Sequence, residues 1–592
     1  MTVLFDSETN GLLHELDRIH CLCLFTPGDP AVRRYHDQPG LAPRDGDLAT
    51  ALRLLEEADE IVAHNYFGFD KLALQKVYPG WKPRGRERDS LIIGRTVWPE
   101  EHLKRMDATN MKRGRAFPKQ YLGRHSLAAW GYRLKDQKGE SPASWAHLTP
   151  EMLDYCVQDV IVLALLWRRI QANAPTEAQI DLEQAYAQII RAQEERGFRL
   201  DRTAVDSLVA ALTIRRAELD QALTAAFPPF QDKRVTPKKK LERVDITPFN
   251  ANSRAHAARA MREKYGWKPA KFTPTGQPQI DEGVLGDLPY PEAPLLLERL
   301  MIKTRLGQVA EGDQAWLKLV KADGRVYGRV AHNAAVTGRV THSKPNMSAV
   351  PKVKKPWGPE CRRCWVAAPG HKLVVVDASG IDARVLAHYA HRYDGGDFVS
   401  LIMGGDVHTR NMESIGDGAF WEGVAARVQD KPREIAKRVF YAILYGAKAR
   451  KIGSIMQVGM ARGKQARDGL LKGLPGLGRL IAAVTASAEA NGWIRTFDGR
   501  RLWVRRAGAA LSVLGQGGSA ILMKMADVIA REWTEKYQVM VVHDEMVCEV
   551  PDALAEDCAA ALVSAVKAAG VHFKLKIPLD AHAAIGLDWS CK

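Results

Sequence analysis

The amino-acid sequence predicts a multidomain protein of mixed α/β and α+β class. Short β-rich runs alternate with helical stretches over the first 170 or so residues, a largely helical region extends to about residue 330, and a second mixed region follows. The length of 592 residues suits roughly four domains of about 150 residues each. Hydrophobic residues at 46% and charged residues at 26% are typical of folded proteins rather than disordered ones.

The first region should form a sheet covered by helices. Three runs resemble buried strands and two have helical periodicity: VLF before Asp6, HCLCLF at 20–25, IVAHN at 61–65, then 68–77 and 149–171. Long helical periodicity follows over 176–227, with a helix end predicted at Gly197. A new unit is therefore expected to begin at about residue 176.

An exposed connection and a helical region are expected next. Residues 228–250 combine prolines with a dense basic cluster and show no apolar period, which is typical of a solvated loop or of a loop beside DNA. Residues 251–330 have mostly helical patterns, with breaks at TPTGQPQ and LPYPEAP. The mixed α/β pattern then returns, and no internal repeat is found.

The composition points to a polyanionic partner and a reducing compartment. Lysine and arginine outnumber aspartate and glutamate by 85 to 69, a formal net charge of +16, which favours nucleic acid, although a merely soluble basic protein can have the same balance. The sequence has neither an apolar run that could span a bilayer nor a secretory signal. The eight cysteines are scattered, and Cys361 and Cys364 lack a second pair at zinc-ribbon spacing. We therefore expect a cytoplasmic protein with reduced thiols.

Four acids and a tyrosine in the first region form a candidate hydrolytic site. Asp6 and Glu8 stand two residues apart at a strand end, so both carboxylates lie on one side of the strand. Asp70 follows the IVAHN strand, and Asp159 lies four residues after Tyr155, on one helical face. Two-metal phosphodiester hydrolysis needs several carboxylates and a group that orients water. The set resembles the tyrosine subtype of the DEDD exonucleases, which implies that the acids bind metal and that Tyr155 orients the water.

Acids at two later positions form a second candidate site. LVVVDASGIDARVL places Asp377 at the end of an apolar strand, a position common to metal ligands and helix N-caps. VMVVHDEMVCEV places His543, Asp544 and Glu545 between two apolar runs, which predicts a buried hairpin with acids at its turn. Such turns usually contain Gly or Asn, so charged residues indicate a role beyond turn formation.

A helix between these acids carries a polar stripe. In KPREIAKRVFYAILYGAK, Arg433, Lys437, Tyr441 and Tyr445 recur every four residues along one slowly winding face. The cations suit a triphosphate, and the aromatic rings suit a sugar and a base. An amphipathic surface helix has the same pattern, but the flanking acids favour the functional interpretation.

These three segments together resemble motifs A, B and C of family A, the DNA polymerase I family. Their residue pattern is most similar to that of replicative enzymes of short-tailed bacteriophages. The resemblance implies a ribonuclease-H-like 3′-5′ exonuclease domain followed by a right-hand polymerase domain with thumb, palm and fingers. It implies that Asp377 and Asp544 bind the catalytic metals and that Glu545 supports them. TGRVTHSKPNMSAVP, GDVHTRNM and LGQGGSA extend the match.

The same resemblance implies further site residues and domain limits. The nucleotide-binding set is His408 for phosphate, Arg433 and Lys437 for the triphosphate, Tyr441 for the sugar, and Tyr445 and Asp382 for the base pair and sugar pocket. The DNA-binding set is Arg339 for the minor groove, Gln516 for the template side and His543 near the primer terminus. The implied domains are the exonuclease at 1–175, thumb and connecting helices at 176–330, palm at 331–404 and 501–592, and fingers at 405–500.

The resemblance also implies cofactors and partners. Each active site would take two Mg²⁺ ions, with Mn²⁺ as an alternative, and the substrates would be primer-template DNA and deoxynucleoside triphosphates in a bacterial host cell. A helicase-primase and a single-strand-binding protein are further expected partners. One phage relative has a thumb insertion that captures thioredoxin, and here that stretch shrinks to Lys233–Arg243. We therefore expect a monomer without a thioredoxin clamp, in which the lysines at 238–240 contact duplex phosphates.

Asp382 departs from the family pattern, which usually has glutamate at this position. In the family that glutamate closes the sugar pocket against a ribose 2′-hydroxyl and accepts a hydrogen bond from the tyrosine that matches Tyr445. Aspartate is one methylene shorter, so the gap would either admit the hydroxyl or hold a bridging water. A backbone shift that restores the contact is the competing expectation. The first case predicts weaker discrimination against ribonucleotides than in Asp382→Glu.

Two other classes of protein fit parts of the sequence. A DNA-binding accessory protein with decayed active sites has the same composition, but both sets of acids are intact. A stand-alone DEDD nuclease fused to a helical binding region explains neither the polar stripe nor the HDE hairpin. Primer extension separates the three possibilities.

Overall fold

A computed structural model divides the chain into two compact units. It describes residues 1–137, 139, 141–173, 175–235, 242–273, 275–286, 288–404 and 407–592. The first unit contains Met1–Arg196, Val330–Thr341 and Val374–Ile585, and the second contains Gly197–Arg329, His342–Leu373 and Gly586–Lys592. Every helix in these described ranges is too short or too polar to cross a membrane.

The first unit begins with a five-stranded mixed sheet. Its strands are β1 Thr2–Thr9, β2 Ile19–Phe25, β3 Arg33–Tyr35, β4 Glu60–Ala63 and β5 Arg86–Asp89. They lie in the order β3-β2-β1-β4-β5, in which β1, β2 and β3 are antiparallel neighbours while β4 and β5 run parallel to β1. The three strands predicted from VLF, HCLCLF and IVAHN are confirmed.

Helices cover this sheet. They are α1 Leu48–Glu57, α2 Asp70–Val77, α3 Ser90–Val97, α4 Glu100–Lys112, α5 Leu127–Leu134, α6 Pro150–Ala172 and α7 Glu177–Arg196. The Thr149 side chain caps α6 by accepting a hydrogen bond from the Met152 amide, and Pro150 fits the first turn. The helix packs against β1 and β2. Gly197, predicted as a helix end, follows α7 with a φ of +63°, the left-handed conformation that favours glycine.

The second unit is mostly helical, as the sequence predicted. Its elements and those at its borders are β6 Phe198–Arg199, α8 Arg202–Ala226, β7 Phe230–Val235, β8 Glu242–Thr247, α9 Arg254–Tyr265, α10 Glu282–Leu285, α11 Ala293–Leu306, α12 Trp316–Leu319, β9 Arg325–Val326, β10 Arg329–Ala331, β11 Thr341–Ser343 and α13 Gly358–Arg363. An apolar core lies between α8, α9 and α11.

The loop expected over 228–250 is wrong in part. Strands β7 and β8 pair antiparallel, beginning with Phe230 opposite Thr247. Phe230 is buried against Phe249, so an aromatic anchor starts a ribbon whose charged sequence has no apolar period. The lysines at 238–240, expected at duplex phosphates, lie outside the described residues.

The remainder of the first unit contains a second sheet, of four strands, and a hairpin. The strands are β12 His371–Ala378, β13 Trp493–Arg495, β14 Arg501–Trp503, β15 Gln538–Val542, β16 Glu545–Pro551 and β17 Ala581–Gly586. The sheet has the order β15-β16-β12-β17, and β13 pairs with β14. The apolar run at 373–376 makes β12 a buried inner strand, as its sequence predicts.

Eleven helices accompany this sheet in the described part of the chain. They are α14 Ile381–Asp394, α15 Asp397–Met403, α16 Val407–Ile415, α17 Gly418–Val428, α18 Pro432–Leu444, α19 Ala449–Ile455, α20 Met460–Gly473, α21 Pro475–Asn491, α22 Ala510–Ile529, α23 Arg531–Tyr537 and α24 Ala555–His572. One apolar core joins α18 to α14 and α21, and another joins α22 and α24 to the sheet.

A buried ionic cluster connects α7 to α22. The Lys524 ammonium donates to both carboxylate oxygens of Glu183, at 2.9 and 2.8 Å, and Arg500 donates to the same carboxylate. Asn333 also donates to Glu183, at 2.7 Å. Burial opposes ionisation of Glu183, but Lys524 and Arg500 lower its pKa to about 2. The cluster therefore holds the helix that follows the first sheet against the helix that covers the second.

Candidate active sites

The carboxylates of β1 lie on the sheet face that α6 covers. Asp6 and Glu8 are two residues apart on the strand and therefore point to the same face. Their carboxylates and the Cys156 thiol of α6 have ligand atoms within 4.8 Å of one another. Two of the predicted metal ligands are thus brought together, as their spacing predicts.

Asp70 lies at the start of α2, beside the opposite face of β1. Its buried carboxylate accepts a 2.6 Å hydrogen bond from the Ser7 hydroxyl, and Ser7 alternates with Asp6 and Glu8 along the strand. Burial, together with repulsion from Asp89, raises the pKa of Asp70 to about 7, although the Ser7 hydrogen bond lowers it. This carboxyl therefore keeps its proton to a higher pH than an exposed aspartate does.

Tyr155 and Asp159 are one helical turn apart on α6. Asp159 is buried, and the Tyr155 ring meets the Trp145 ring edge-on at 6.0 Å. Sequence reasoning missed Trp145, because no spacing rule connects it to α6. Among the described residues, no trio that includes Asp70 or Asp159 has all its ligand atoms within 4.8 Å, so the four acids do not form one close set here.

The second pair of acids meets at the edge of the second sheet. Asp377 is the penultimate residue of β12, and Asp544 lies in the two-residue turn between β15 and β16. The Ala378 amide donates a 3.0 Å hydrogen bond to the Asp544 carbonyl, which joins the two segments. His543 occupies the turn with a φ of +57°. The predicted hairpin with acids at its turn is confirmed, and Glu545 is buried at the start of β16.

Helix α18 carries the predicted polar stripe. Arg433 and Lys437 are exposed on the helix, Tyr441 is half-buried, and Tyr445 follows the helix end with 48% of its surface exposed. The opposite side is buried by Ile435, Ala436, Val439, Phe440, Ile443 and Leu444. The Tyr441 hydroxyl lies 3.8 Å from the position that a Cβ on Gly380 would occupy, so the stripe ends beside the segment that follows Asp377.

His408 of α16 faces the same helix. Its ring contacts the rings of Phe440 and Tyr441. Burial and the nearby cations Arg433 and Lys437 lower its pKa, which favours a neutral imidazole. Its Nδ1 atom is buried and has no hydrogen-bond partner among the described residues. The structure thus brings three of the predicted nucleotide-binding residues, His408, Arg433 and Lys437, into one neighbourhood.

Asp382 accepts hydrogen bonds from several side chains. The Tyr445 hydroxyl donates directly to it at 2.9 Å, and the Ser519 hydroxyl and the Arg339 guanidinium donate to its other oxygen. Only 9% of Asp382 is exposed. Burial first, and then the charge of Asp382, raise the pKa of Tyr445, which keeps the phenol protonated as the donor. The contact supports the alternative in which the shorter side chain still reaches its tyrosine.

A family model described as DNA polymerase family A matches residues 227–591, more than half of the chain. The chain belongs to the family A DNA polymerases. The family predicted from the three motifs is therefore confirmed.

Relatives extend the match over the whole length of this family A chain. The DNA-directed DNA polymerases of Enterobacteria phage T3 and Escherichia phage T7 are each 29% identical to it, over 99% of this chain and 99% of each relative. DNA polymerase I of Pseudomonas aeruginosa is 24% identical over 95% of this chain and 60% of its own length. The solved POL domain of Pol1 from M. smegmatis, in complex with DNA primer-template and dNTP, has a TM-score of 0.70 at 18% identity and covers 100% of this chain and 95% of that one. That structure shows a shared fold.

Helix α22 of this family A chain supplies a side chain that sequence reasoning missed. Ser519 bonds to Asp382 and lies three residues after Gln516, which was singled out for the template. The Gln516 amide donates within the helix to Ser512, at 3.2 Å. A Cβ on Gly518 would stand 2.5 Å from a methyl of Val385, so this glycine lets α22 approach α14 closely. The LGQGGSA run could have indicated the close approach, but not the partner of Ser519.

Proposed function

We propose that the protein is a template-directed DNA polymerase that extends a primer by two-metal nucleotidyl transfer. The observation that carries the proposal is the meeting of Asp377 and Asp544 through the Ala378 hydrogen bond, beside the cationic and aromatic stripe of α18. The reaction is in-line attack of the primer 3′-hydroxyl on the α-phosphate of a deoxynucleoside triphosphate, with pyrophosphate as leaving group.

The donor chemistry of this site suits a hard divalent cation. Asp377 and Asp544 are both half-buried carboxylates, and carboxylate oxygens are the ligands that Mg²⁺ and Mn²⁺ prefer. These two residues would hold the ions, and Glu545 would support them from the buried start of β16. When bound, the ions supply Lewis-acid stabilisation of the transferring phosphate.

The remaining side chains bind and orient the substrates. Arg433 and Lys437 are exposed cations at the start of α18 and would hold the triphosphate, while neutral His408 would donate to a phosphate oxygen. Tyr441 would contact the sugar, and Tyr445 would cover the nascent base pair. The DNA-binding residues of this proposal are Arg339, Gln516 and His543.

We propose a second activity, 3′-5′ exonuclease proofreading, for the N-terminal sheet. A ribonuclease-H-like assignment is supported by the mixed five-stranded sheet and by the meeting of Asp6 and Glu8 on the face covered by α6. Asp6 and Glu8, which lie together, would hold divalent metal, and by the family resemblance Asp70 and Asp159 would complete the site after their carboxylates move toward it. Tyr155 would orient the attacking water. The Trp145 ring lies edge-on against Tyr155 and would help to position it.

The domain limits that we propose follow the resemblance to family A. They are an exonuclease domain at 1–175, thumb and connecting helices at 176–330, palm at 331–404 and 501–592, and fingers at 405–500. Alignments with the T3 and T7 enzymes span 724 and 728 positions, more than the 592 residues of this chain. The chain therefore lacks stretches that those relatives have. On the family resemblance we propose a monomer without a thioredoxin clamp. Helicase-primase and single-strand-binding protein are the other proposed partners.

Primer extension with Mg²⁺ and four deoxynucleotides tests the proposal. Wild type should extend a recessed primer and degrade a mismatched end. Asp544→Asn should lose extension and keep degradation, whereas Asp6→Ala with Glu8→Ala should do the reverse. Glu556→Gln, an exposed acid on α24, is the control and should keep both. Degradation without extension by wild type would instead indicate a nuclease, and absence of both would indicate a DNA-binding protein.

A further inference from the structure

Two thiols lie directly beside the acids of β1. Cys21 and Cys23 stand two residues apart on β2 and point to one face of the sheet. The β1–β2 register sets Cys23 opposite Asp6 and Cys21 opposite Glu8. Side chains at opposite positions of an antiparallel pair lie on the same face, about 5 Å apart at Cβ. The sheet therefore presents two carboxylate–thiol pairs side by side.

A third thiol, from α6, covers these pairs. The ligand atoms of Cys21, Cys23 and Cys156 lie within 4.8 Å of one another, and Cys156 also belongs to the close group with Asp6 and Glu8. Its sulfur is 3.8 Å from the Asp6 Oδ2 atom and 3.5 Å from the Asp6 carbonyl oxygen. All three cysteines are fully buried. Three sulfurs therefore surround a single small volume, and the carboxylates of Asp6 and Glu8 lie next to it on the Cys156 side.

The dimensions of this cluster suit a tetrahedral soft cation. Zn²⁺ binds thiolate sulfur at about 2.3 Å, which sets the sulfurs roughly 3.8 Å apart in a tetrahedron. A contraction of about 1 Å or less from the present spacing reaches that value. Thiolates select soft or borderline ions, whereas carboxylates alone suit Mg²⁺. The two parts of the cluster therefore favour different metals, and Cys156 belongs to both.

We propose that Cys21, Cys23 and Cys156 form a site for one thiophilic divalent cation such as Zn²⁺, and that the Asp6 carboxylate, now 3.8 Å from the Cys156 sulfur, turns toward the ion as its fourth ligand. Each bound thiol releases its proton to solvent. Because Asp6 cannot serve both sites, occupancy withdraws it from the hard-metal set and inhibits degradation of the primer end. The inhibitory consequence rests on the proposed exonuclease function, whereas the binding itself does not.

Cadmium serves as a spectroscopic probe of this site. Cd²⁺ titrated into the full-length protein without Mg²⁺ should produce the ultraviolet thiolate-to-cadmium absorption and saturate at one ion per chain. Cys23→Ala and Cys156→Ala should each lose this saturable absorption. Cys558→Ala removes a buried thiol from α24, in the core of the second sheet, and should retain it. Thermal unfolding of each variant without Cd²⁺ establishes that it is folded.

Activity measurements test the consequence separately. With Mg²⁺ and one equivalent of Cd²⁺, wild type should degrade a mismatched primer roughly 10-fold more slowly or worse, while Cys23→Ala should keep its rate. If the cysteines only pack as apolar side chains and have no affinity for metal, wild type should show no cadmium absorption, and that result would overturn the site. Absorption that survives in both Cys23→Ala and Cys156→Ala would overturn it as well. Lack of degradation in Mg²⁺ alone would reject the exonuclease while leaving the absorption result to decide the site.

Discussion

Asp382 is the residue at which the resemblance to family A predicts a glutamate instead. Its carboxylate receives the Tyr445 hydroxyl directly at 2.9 Å and is held from the other side by Ser519 and Arg339. A direct hydrogen bond between the two side chains leaves no room for a water between them. We propose that this contact keeps the sugar pocket closed against a ribose 2′-hydroxyl despite the missing methylene.

This contact predicts how substitutions at Asp382 change sugar selection. Asp382→Ala removes the acceptor and opens the pocket, and should increase incorporation of ribonucleotides relative to deoxynucleotides by about 10-fold to 200-fold. Asp382→Glu should bring no gain in selectivity, because the tyrosine is already bound. Single-turnover incorporation of both nucleotide types by the three proteins measures this. Better discrimination by the glutamate variant than by wild type would show that the contact is open in solution.

Tyr441 predicts ready acceptance of chain terminators. Its hydroxyl lies close to Gly380, and by the resemblance to family A we propose that it substitutes for the missing 3′-hydroxyl of a dideoxynucleotide. Tyr441→Phe removes that group and should lower the incorporation of dideoxynucleotides relative to deoxynucleotides by about 10-fold or more. Competition between the two substrates measures the ratio. Equal ratios for the two proteins would exclude a role for the hydroxyl.

Helices and strands differ in how far local sequence predicts them. The alternation around Asp6 and the apolar runs that flank Asp544 predict their strands, because burial on one face repeats within a few residues. The helix predicted from the four-residue spacing of the α18 stripe is confirmed for the same reason. The β7–β8 ribbon was missed because its charged residues show no apolar period. Partners such as Ser519 and Asp382, or Cys23 and Asp6, depend on helix packing and strand register, which local spacing does not specify.

The close approach of α22 to α14 predicts a steric limit at Gly518. Gly518→Ala would place its Cβ within 2.5 Å of a Val385 methyl, so the helices must separate or Val385 must move, at a cost of about 1–3 kcal/mol. Gly418→Ala is the matched control, since a Cβ there meets nothing within 4 Å and alanine favours helix. Thermal unfolding should show a lower midpoint only for Gly518→Ala. An unchanged midpoint would mean that α22 and α14 can accommodate the additional methyl group without loss of stability.

The molecule joins its two sheets through buried charge as well as apolar packing. Glu183 of α7 meets Lys524 of α22 and Arg500 in the hairpin connection. The Lys524 ammonium is fully buried, and burial lowers its pKa to about 8 despite the attraction of Glu183. The two partners thus differ. For the charged form of Glu183 the pairing outweighs the cost of burial, whereas for the charged form of Lys524 the cost of burial outweighs the pairing.

Removing the Glu183 carboxylate alone should destabilise the protein more than removing Glu183 and Lys524 together. Glu183→Gln leaves two buried cations without their shared anion, and should destabilise the first unit by about 3–5 kcal/mol. Glu183→Gln with Lys524→Met removes one of those cations and should recover part of the loss. Thermal midpoints of the three proteins near neutral pH measure this. A double variant less stable than Glu183→Gln would show that Lys524 contributes through contacts other than Glu183.

The same cluster predicts a specific dependence of stability on pH. Glu183 has a folded pKa of about 2, below its ordinary value of 4.5, because Lys524 and Arg500 favour the carboxylate. A carboxyl with a lowered folded pKa contributes stability that is fully present above its unfolded pKa and is lost as pH falls toward the folded value. The difference in thermal midpoint between wild type and Glu183→Gln should therefore be constant above about pH 5 and shrink steadily below about pH 4.5. Other acids titrate in this range, but they do so in both proteins and cancel in the difference. Unfolding scans of the pair in steps from about pH 6 to about pH 3 provide the measurement, and a difference that stays constant across the range would mean that Glu183 has the same pKa in the folded and the unfolded protein.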